Sequence, residues 1–275
     1  MNFRLSENGE TEVKIAVSGK GGVGKTLIAG VIACSLAKAG LKTIAIDADP
    51  SPNLALTLGL SQEEAHKIVP ISENKELIRL KTGTGYSGVF RLSFTVDDIV
   101  RDYSVETPFN VNLIVMGTVR SMGSGCACPE NAVIRALLRH LVVERNEGVV
   151  LDMEAGIEHI GRGTARHVNT MLIVADANMK ALEIARNIHE LSSKAGMKQI
   201  FLVGNKIANA IQKETIENFA GKYGLNILGF VPFDKKVLEM EMLGETPLKS
   251  KESEAVHAVE ELCERLDEKH LISWK

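Results

Sequence analysis

The chain has 275 residues, of which 45% are hydrophobic and 24% are charged, and its formal net charge at pH 7 is -3. This balance excludes the basic footprint of a nucleic-acid-binding protein, and no apolar run approaches the roughly 20 residues that cross a bilayer. We therefore expect a cytoplasmic protein with one domain over residues 1–275 and with neither nucleic acid nor membrane as a partner.

Apolar, β-branched runs alternate with stretches of helical periodicity along most of the chain. The predicted strands are residues 13–18, 42–47, 111–116, 148–152, 169–175, 200–203 and 227–231. The predicted helices are residues 25–39, 132–144, 182–194, 211–222 and 254–268. Strands that are apolar on both faces and separated by helices indicate an α/β fold, with a mostly parallel sheet flanked by helices on both faces. Residues 1–12 are expected to be a polar extension, and residues 61–110 an irregular segment of helices and loops.

A glycine-rich loop follows the first predicted strand and precedes the first predicted helix. It consists of Gly19, Lys20, Gly21, Gly22, Val23, Gly24, Lys25 and Thr26, which match the phosphate-loop pattern G-x-x-x-x-G-K-[ST]. Glycines allow several backbone N–H groups to point at phosphate oxygens, while Lys25 adds positive charge and Thr26 offers a hydroxyl to Mg²⁺. The loop therefore predicts that the chain binds a nucleoside triphosphate with Mg²⁺.

The extra lysine at position 20 makes the loop resemble that of the deviant phosphate-loop ATPases, the family of cell-division and chromosome-partition ATPases and the nitrogenase iron protein. The resemblance implies a Mg²⁺-dependent ATPase that forms a nucleotide-dependent homodimer, in which Lys20 reaches phosphates held by the partner subunit. A cation that arrives in this way stabilises the charge that develops during phosphoryl transfer.

Carboxylates end two of the predicted strands, Asp47 and Asp49 after the second and Asp152 after the fourth. The carboxyl ends of parallel strands share one edge of the sheet, so these groups are expected near the glycine loop. Asp152 is then the expected Mg²⁺-holding aspartate. The resemblance implies that Asp49 holds the attacking water and that Gly156 approaches the γ-phosphate. Glu154 stands where a small or neutral residue is expected.

Asn205 and Lys206 follow another predicted strand and resemble the base-recognition element of phosphate-loop enzymes. GTPases carry an aspartate three positions after the asparagine, whereas Ala208 stands there in this chain. We therefore predict ATP as the substrate, with Asn205 contacting adenine and Pro232 forming the opposite wall. A purely structural role for the Asn-Lys pair is the alternative.

Two of the four cysteines, Cys126 and Cys128, lie in a glycine-bounded turn just before a predicted helix. Two thiolates are too few for a four-coordinate metal, and Cys34 and Cys263 occupy apolar helix positions that are typical of core residues. Two chains related by a two-fold axis would supply four thiolates, which suit square-planar Ni²⁺ or tetrahedral Zn²⁺. Unpaired thiols and a reversible disulfide are the alternatives.

Together, the glycine loop, the cysteine turn and the sequence from Asp152 to His159 resemble the CooC-type ATPases. This resemblance implies delivery of nickel to carbon monoxide dehydrogenase, or to the related acetyl-coenzyme A synthase, by a homodimer that binds metal between Cys126 and Cys128 of both subunits. Two rival interpretations are an electron-donating or iron–sulfur scaffold ATPase related to the nitrogenase iron protein, and a positioning ATPase of the cell-division type.

Overall fold

The computed structural model describes residues 13–82, 97–117, 129–143, 147–154 and 167–268. Within these ranges, eight strands form one sheet. The strands are β1 (Lys14–Gly19), β2 (Thr43–Ala48), β3 (Val105–Glu106), β4 (Val111–Val115), β5 (Gly148–Met153), β6 (Thr170–Ala175), β7 (Ile200–Ile207) and β8 (Ile227–Pro232).

The strand order in the sheet is β3-β4-β2-β5-β1-β6-β7-β8. Every neighbouring pair is parallel except β3 and β4, which are antiparallel. The central strands β1, β2, β5 and β6 are buried at every position, because helices cover both faces of a parallel sheet. The predicted mostly parallel α/β fold is confirmed.

Ten α-helices lie in the described part of the chain. They are α1 (Lys25–Lys38), α2 (Leu54–Thr57), α3 (Gln62–Lys67), α4 (Lys75–Thr82), α5 (Asp97–Tyr103), α6 (Pro129–Val143), α7 (Met179–Lys194), α8 (Ala210–Tyr223), α9 (Lys235–Met242) and α10 (Glu254–Glu268). Short 3-10 helices lie at Ile71–Glu73 and Pro247–Lys249.

The last described helix, α10, packs against β8 and α1. Its Cys263 is buried, Glu260 pairs with Lys38 at 3.0 Å, and Arg265 donates to the Leu228 carbonyl at 3.3 Å. Its apolar face is therefore part of the core. No helix in the described ranges is both long enough and apolar enough to cross a membrane.

Three elements differ from the sequence-based expectations. Strand β7 was predicted to end at residue 203 but continues through Asn205 and Lys206 to Ile207. Helix α9 was not predicted; it has only eight residues, and none of them is buried. The irregular segment 61–110 contributes helices, as expected, but also the short edge strand β3. The predicted extension over residues 1–12 lies outside the described residues.

Candidate nucleotide-binding site

A cavity of about 780 Å³ opens at the carboxyl ends of the central strands. The strand register places Asp47 of β2 directly beside Asp152 of β5, and Asp152 also pairs with Val17 of β1. The glycine loop continues from β1, so loop and carboxylates meet at one edge of the sheet. The cavity is lined on this side by Gly21, Gly22, Gly24, Lys25, Thr26, Asp49 and Glu154.

The glycine loop has a backbone that other residues would disturb. Gly24 has a φ of 92° and immediately precedes α1. A Cβ at Gly24 would collide with the Asn205 side-chain nitrogen, and a Cβ at Gly19 would collide with the Val174 carbonyl oxygen. The N-terminus of α1 lines the cavity through Gly24, Lys25 and Thr26. A helix N-terminus in this position favours a bound anion.

The side chains of Asn205 and Lys206 hold the glycine loop from the neighbouring side. The Asn205 amide donates to the Val23 carbonyl at 2.7 Å, and its oxygen accepts from the Lys206 N–H at 2.8 Å. The Lys206 ammonium donates to the Gly22 carbonyl at 2.8 Å, and Lys206 has a φ of 59°. Two loop carbonyls are thereby held by side chains from β7. These contacts match the structural alternative for this pair, and the adenine contact of Asn205 stays a prediction.

Lys25 and Asp49 form an ion pair inside the cavity. The Nζ of Lys25 lies 3.5 Å from an Asp49 carboxylate oxygen, and their side chains are 5% and 20% exposed. The other Asp49 oxygen accepts from the Ser51 N–H at 2.9 Å. The Lys25 ammonium therefore has the Asp49 carboxylate as its charge partner beside the glycine loop.

Asp47 is fully buried and supports the segment that carries Asp49. Its two oxygens accept from the Asp49 N–H at 3.2 Å and from the Leu54 N–H at 2.9 Å. Burial raises the pKa of Asp47 to about 6, although these two hydrogen bonds act in the opposite direction. Asp47 therefore shapes the turn between β2 and α2.

Asp152 is buried, and neither of its carboxylate oxygens has a hydrogen-bond partner of good geometry among the described residues. Burial raises its pKa to about 7, and the nearby Thr26 hydroxyl and Lys25 oppose this rise. Two orphaned carboxylate oxygens beside a threonine hydroxyl fit Mg²⁺, which prefers hard oxygen ligands and keeps several waters and phosphate oxygens in its shell. Asp152 and Thr26 are thus suited to hold the metal.

A second wall of the cavity is formed by residues around the end of β8 and along α9. Pro232, Phe233 and Asp234 line it, and Phe233 is 44% exposed. Asp234 caps α9 by accepting from the Lys236 N–H at 2.8 Å and also accepts from the Ser253 hydroxyl at 2.6 Å. The wall is therefore fixed to the start of α10.

Of the remaining predicted site residues, the structure describes Lys20 but not Gly156, Cys126 and Cys128. Lys20 is half-buried and is not part of the cavity lining. Its backbone carbonyl accepts from the Val23 N–H at 3.4 Å, and its side chain makes no hydrogen bond or ion pair with the described residues. Gly156, Cys126 and Cys128 lie outside the described residues. In the described ranges no group of three or more His, Cys, Asp and Glu side chains is arranged to hold a metal.

The two other cysteines are core residues, as predicted. Cys34 and Cys263 are 3% and 2% exposed. Burial raises the pKa of each thiol to about 12. Both therefore stay protonated at neutral pH and are poor metal ligands.

Sequence analysis missed three residues that shape the site. Thr246, which is 4% exposed, donates its hydroxyl hydrogen to the carbonyl oxygen of Thr57. Thr57 lines the cavity, as does Pro247, which follows Thr246. Ser18, which is fully buried, donates to the Glu154 carbonyl at 2.9 Å. The only sequence signal for Thr246 is its place before Pro247, which is typical of a helix N-cap. Ser18 gives no signal, because a serine at the end of a strand is common.

Comparison with known proteins agrees with this architecture. The family described as CobQ/CobB/MinD/ParA nucleotide binding domain matches residues 14–248. The carbon monoxide dehydrogenase accessory protein CooC of Rhodospirillum rubrum is 42% identical over 234 residues, which cover 84% of this chain and 88% of that protein. An uncharacterized ATP-binding protein of Methanocaldococcus jannaschii is 41% identical over 84% of this chain and 90% of its own length. The cell division ATPase MinD of Pyrococcus furiosus has the same fold, with a TM-score of 0.66 and 20% identity over 94% of this chain and 99% of that one.

Proposed function

Because this chain belongs to the CobQ/CobB/MinD/ParA nucleotide-binding family, and within it to the CooC-like ATPases, we propose that it uses ATP to deliver nickel to carbon monoxide dehydrogenase. The observation that carries this proposal is the 42% identity to CooC of Rhodospirillum rubrum over most of both chains. The related acetyl-coenzyme A synthase is the alternative client.

ATP binding replaces the internal partner of Lys25. The triphosphate enters the glycine loop, the N–H groups of Gly21 to Lys25 bind its oxygens, and Lys25 exchanges Asp49 for phosphate. Asp152 and Thr26 hold the Mg²⁺, which neutralises charge on the phosphates when bound. Asp49, once released, is free to move with its segment. The proximity of Lys25 and Asp49 supports a switch that responds to nucleotide.

ATP closes two chains into a dimer that holds the metal. The side chain of Lys20, which has no hydrogen-bond or ion-pair partner among the described residues, reaches the phosphates of the other subunit, and Gly156 approaches the γ-phosphate. Cys126 and Cys128 of both chains supply four thiolates to one Ni²⁺ or Zn²⁺. The burial of Cys34 and Cys263 supports this choice, because it leaves Cys126 and Cys128 as the two thiols able to bind metal. Hydrolysis removes the γ-phosphate contacts, so the dimer opens and the metal leaves.

Metal content and assembly test the proposal together. The protein is loaded with Ni²⁺ and a non-hydrolysable ATP analogue, separated by size-exclusion chromatography, and analysed for metal in the dimer fraction. We expect one metal ion per two chains, lost in the Cys126→Ser/Cys128→Ser variant. The matched control is Cys34→Ala/Cys263→Ala, which removes two buried thiols and is expected to keep its metal. A single chain that retains the metal, or a Cys126/Cys128 double variant that does, would contradict the shared site.

A further inference from the structure

Strand β7 contains a bulge where it ends beside the cavity. Between the register pairs Gly204–Phe230 and Ile207–Pro232, β7 carries one residue more than its neighbour β8. Lys206 lies in this bulge and has a φ of 59°, in the left-handed region that glycine adopts without cost and that other residues rarely adopt. A bulge next to a binding site often serves to direct a side chain towards it.

Packing does not explain a lysine at this position. Lys206 is exposed and is not part of the core. Glycine would adopt the same backbone conformation at a lower cost, so stability alone favours glycine there. Backbone strain that stability does not require is typical of functional positions. The contacts of the Lys206 side chain indicate which function the strain serves.

The bulge brings the Lys206 side chain to the glycine loop. Its ammonium donates to the Gly22 carbonyl at 2.8 Å, and the neighbouring Asn205 amide donates to the Val23 carbonyl at 2.7 Å. The Asn205 oxygen also accepts from the Lys206 N–H at 2.8 Å, which fixes the backbone of the bulge itself. Two consecutive carbonyls of the loop are therefore held from β7.

These contacts fix the orientation of two loop peptides. No peptide bond among the described residues is cis, and in a planar trans peptide the N–H points opposite to the carbonyl. The Gly22 carbonyl shares its peptide with the Val23 N–H, which donates to the Lys20 carbonyl at 3.4 Å. The Val23 carbonyl shares its peptide with the N–H of Gly24, which lines the cavity. Without the contacts from β7, the glycines on either side of Val23 would allow both peptides to rotate.

A glycine loop that is held in this way binds phosphate at a lower entropic cost than a loop that its ligand must first order. We propose that Lys206 is a positioning residue for ATP, which acts through the Gly22 carbonyl and not by contact with the nucleotide. This role rests on the binding of ATP by the glycine loop that is proposed above. Loss of the Lys206 ammonium therefore weakens the binding of any ligand that carries the triphosphate, whatever its base.

Titration calorimetry of the full-length protein with Mg²⁺ and a non-hydrolysable ATP analogue tests this role. We expect Lys206→Met to weaken binding by about 5- to 10-fold, because the peptide between Gly22 and Val23 is then no longer held. Inorganic triphosphate, which has no base, should lose affinity by the same factor. Lys206→Arg should keep most of the affinity, since a guanidinium N–H can donate to the same carbonyl. Lys236→Met is the matched control, which removes an exposed lysine of α9 that does not line the cavity, and it should change both affinities by less than about 2-fold.

Two further variants separate the loop contact from stability. Lys206→Gly relieves the left-handed backbone conformation and Lys206→Ala retains it, so the melting temperature of Lys206→Gly should be about 1 to 4 °C higher. Both variants lack the ammonium and should bind the ATP analogue as weakly as Lys206→Met. In ATP hydrolysis, Lys206→Met should raise KM by about 5- to 10-fold and leave kcat within about 3-fold of the parent value, because the loop binds substrate and transition state alike.

Several results would overturn the positioning role. If Lys206→Met or Lys206→Gly binds the ATP analogue as tightly as the parent protein, the contact with Gly22 does not prepare the loop. A loss of affinity for the ATP analogue but not for inorganic triphosphate would show that Lys206 contacts the nucleoside directly. An equal loss in Lys236→Met would show a general effect of charge. A parent protein that binds no ATP would refute the proposed function itself, whereas the other results leave ATP binding by the parent intact.

Discussion

Asp47 and Asp152 illustrate the cost of burying carboxylates at a binding site. Both lie side by side in the register between β2 and β5. Burial raises the pKa of Asp47 to about 6 and that of Asp152 to about 7, both from an ordinary value of 3.8. The folded protein therefore binds protons more tightly than the unfolded chain. This tighter proton binding stabilises the folded protein fully below about pH 4. The stabilisation is lost as the pH rises through about 6 to 7, where the two buried carboxyls lose their protons.

Replacing Asp152 by asparagine should remove much of the loss of folding stability between pH 5 and pH 8, measured without nucleotide and Mg²⁺. At pH 8 we expect the free energy of unfolding of Asp152→Asn to exceed that of the parent protein by about 1 to 3 kcal/mol, because no charge is then buried at that position. At pH 5 the parent carboxyl is mostly protonated, so the difference should shrink. Urea denaturation at the two pH values measures both.

Asp267→Asn on α10 is the control for this comparison, because Asp267 is only half-buried. It should change the free energy of unfolding equally at both pH values. If Asp152→Asn destabilises the protein by the same amount at pH 5 and pH 8, the buried carboxylate does not carry the pH dependence that its environment indicates.

At the scale of elements, the glycine loop is held by contacts with β7. Asn205 lies against Gly24 so closely that a Cβ there would collide with its amide, and the same amide binds the Val23 carbonyl. Gly24 also has a φ of 92°, a conformation that side chains other than glycine rarely adopt. By contrast, a Cβ at Gly21 would meet nothing within 4 Å. The backbone conformation and the close approach of Asn205 therefore require glycine at position 24, whereas a methyl group at position 21 would meet no neighbour.

Gly24→Ala should lower the free energy of unfolding by about 2 kcal/mol or more, whereas Gly21→Ala should change it by less than about 0.5 kcal/mol. Thermal or urea unfolding without nucleotide gives both values. Part of the Gly24 cost comes from displacing the Asn205 amide. In an Asn205→Ala background the cost of Gly24→Ala should therefore be smaller, and a double-mutant cycle measures the difference. If Gly24→Ala lowers the free energy of unfolding equally in both backgrounds, the close approach of the Asn205 amide does not contribute to its cost.

The strands that are buried at every position are among the elements that the sequence alone predicted. Strands β1, β2, β5 and β6 are buried on both faces, so each is an apolar run that stands out between polar segments. Strand β7 was predicted too short, because Asn205 and Lys206 are polar side chains that serve the loop while their backbone continues the strand. Strand order was not predicted, since periodicity does not indicate which runs pair.

The candidate site was predictable where its residues are adjacent in the chain. Gly19 to Thr26 form one motif, and Asp49 and Asp152 each end an apolar run, so spacing identifies them. The bond between Thr246 and Thr57 joins residues 189 positions apart, and no local pattern indicates it. Likewise, the ion pair of Lys25 with Asp49 depends on the position of the β2 end next to the loop.

At the scale of the whole molecule, one buried hydroxyl joins the two walls of the cavity. Thr57 lies at the end of α2, on the side that carries Asp49, while Thr246 and Pro247 follow α9 on the other side. The Thr246 hydroxyl donates to the Thr57 carbonyl and accepts from the Leu248 N–H at 3.2 Å. These two hydrogen bonds link the end of α2 to the segment that follows α9.

Thr246→Val should break this connection while keeping the shape of the side chain. The variant leaves the Thr57 carbonyl and the Leu248 N–H without their partner next to a residue that is 4% exposed, so we expect a loss of about 1 to 3 kcal/mol in the free energy of unfolding. ATP affinity should fall as well, because the two walls no longer hold a fixed separation. Urea denaturation and nucleotide titration measure the two effects.

Thr215→Val is the matched control, since the Thr215 hydroxyl donates at 2.8 Å to the Ile211 carbonyl within the surface helix α8. There water can replace the lost hydrogen bond, so the free energy of unfolding should change by less than about 0.5 kcal/mol and ATP affinity should not change. If Thr246→Val behaves like this control in both measurements, the two walls are held independently. The Thr246 hydroxyl would then not be what holds the end of α2 against the segment after α9.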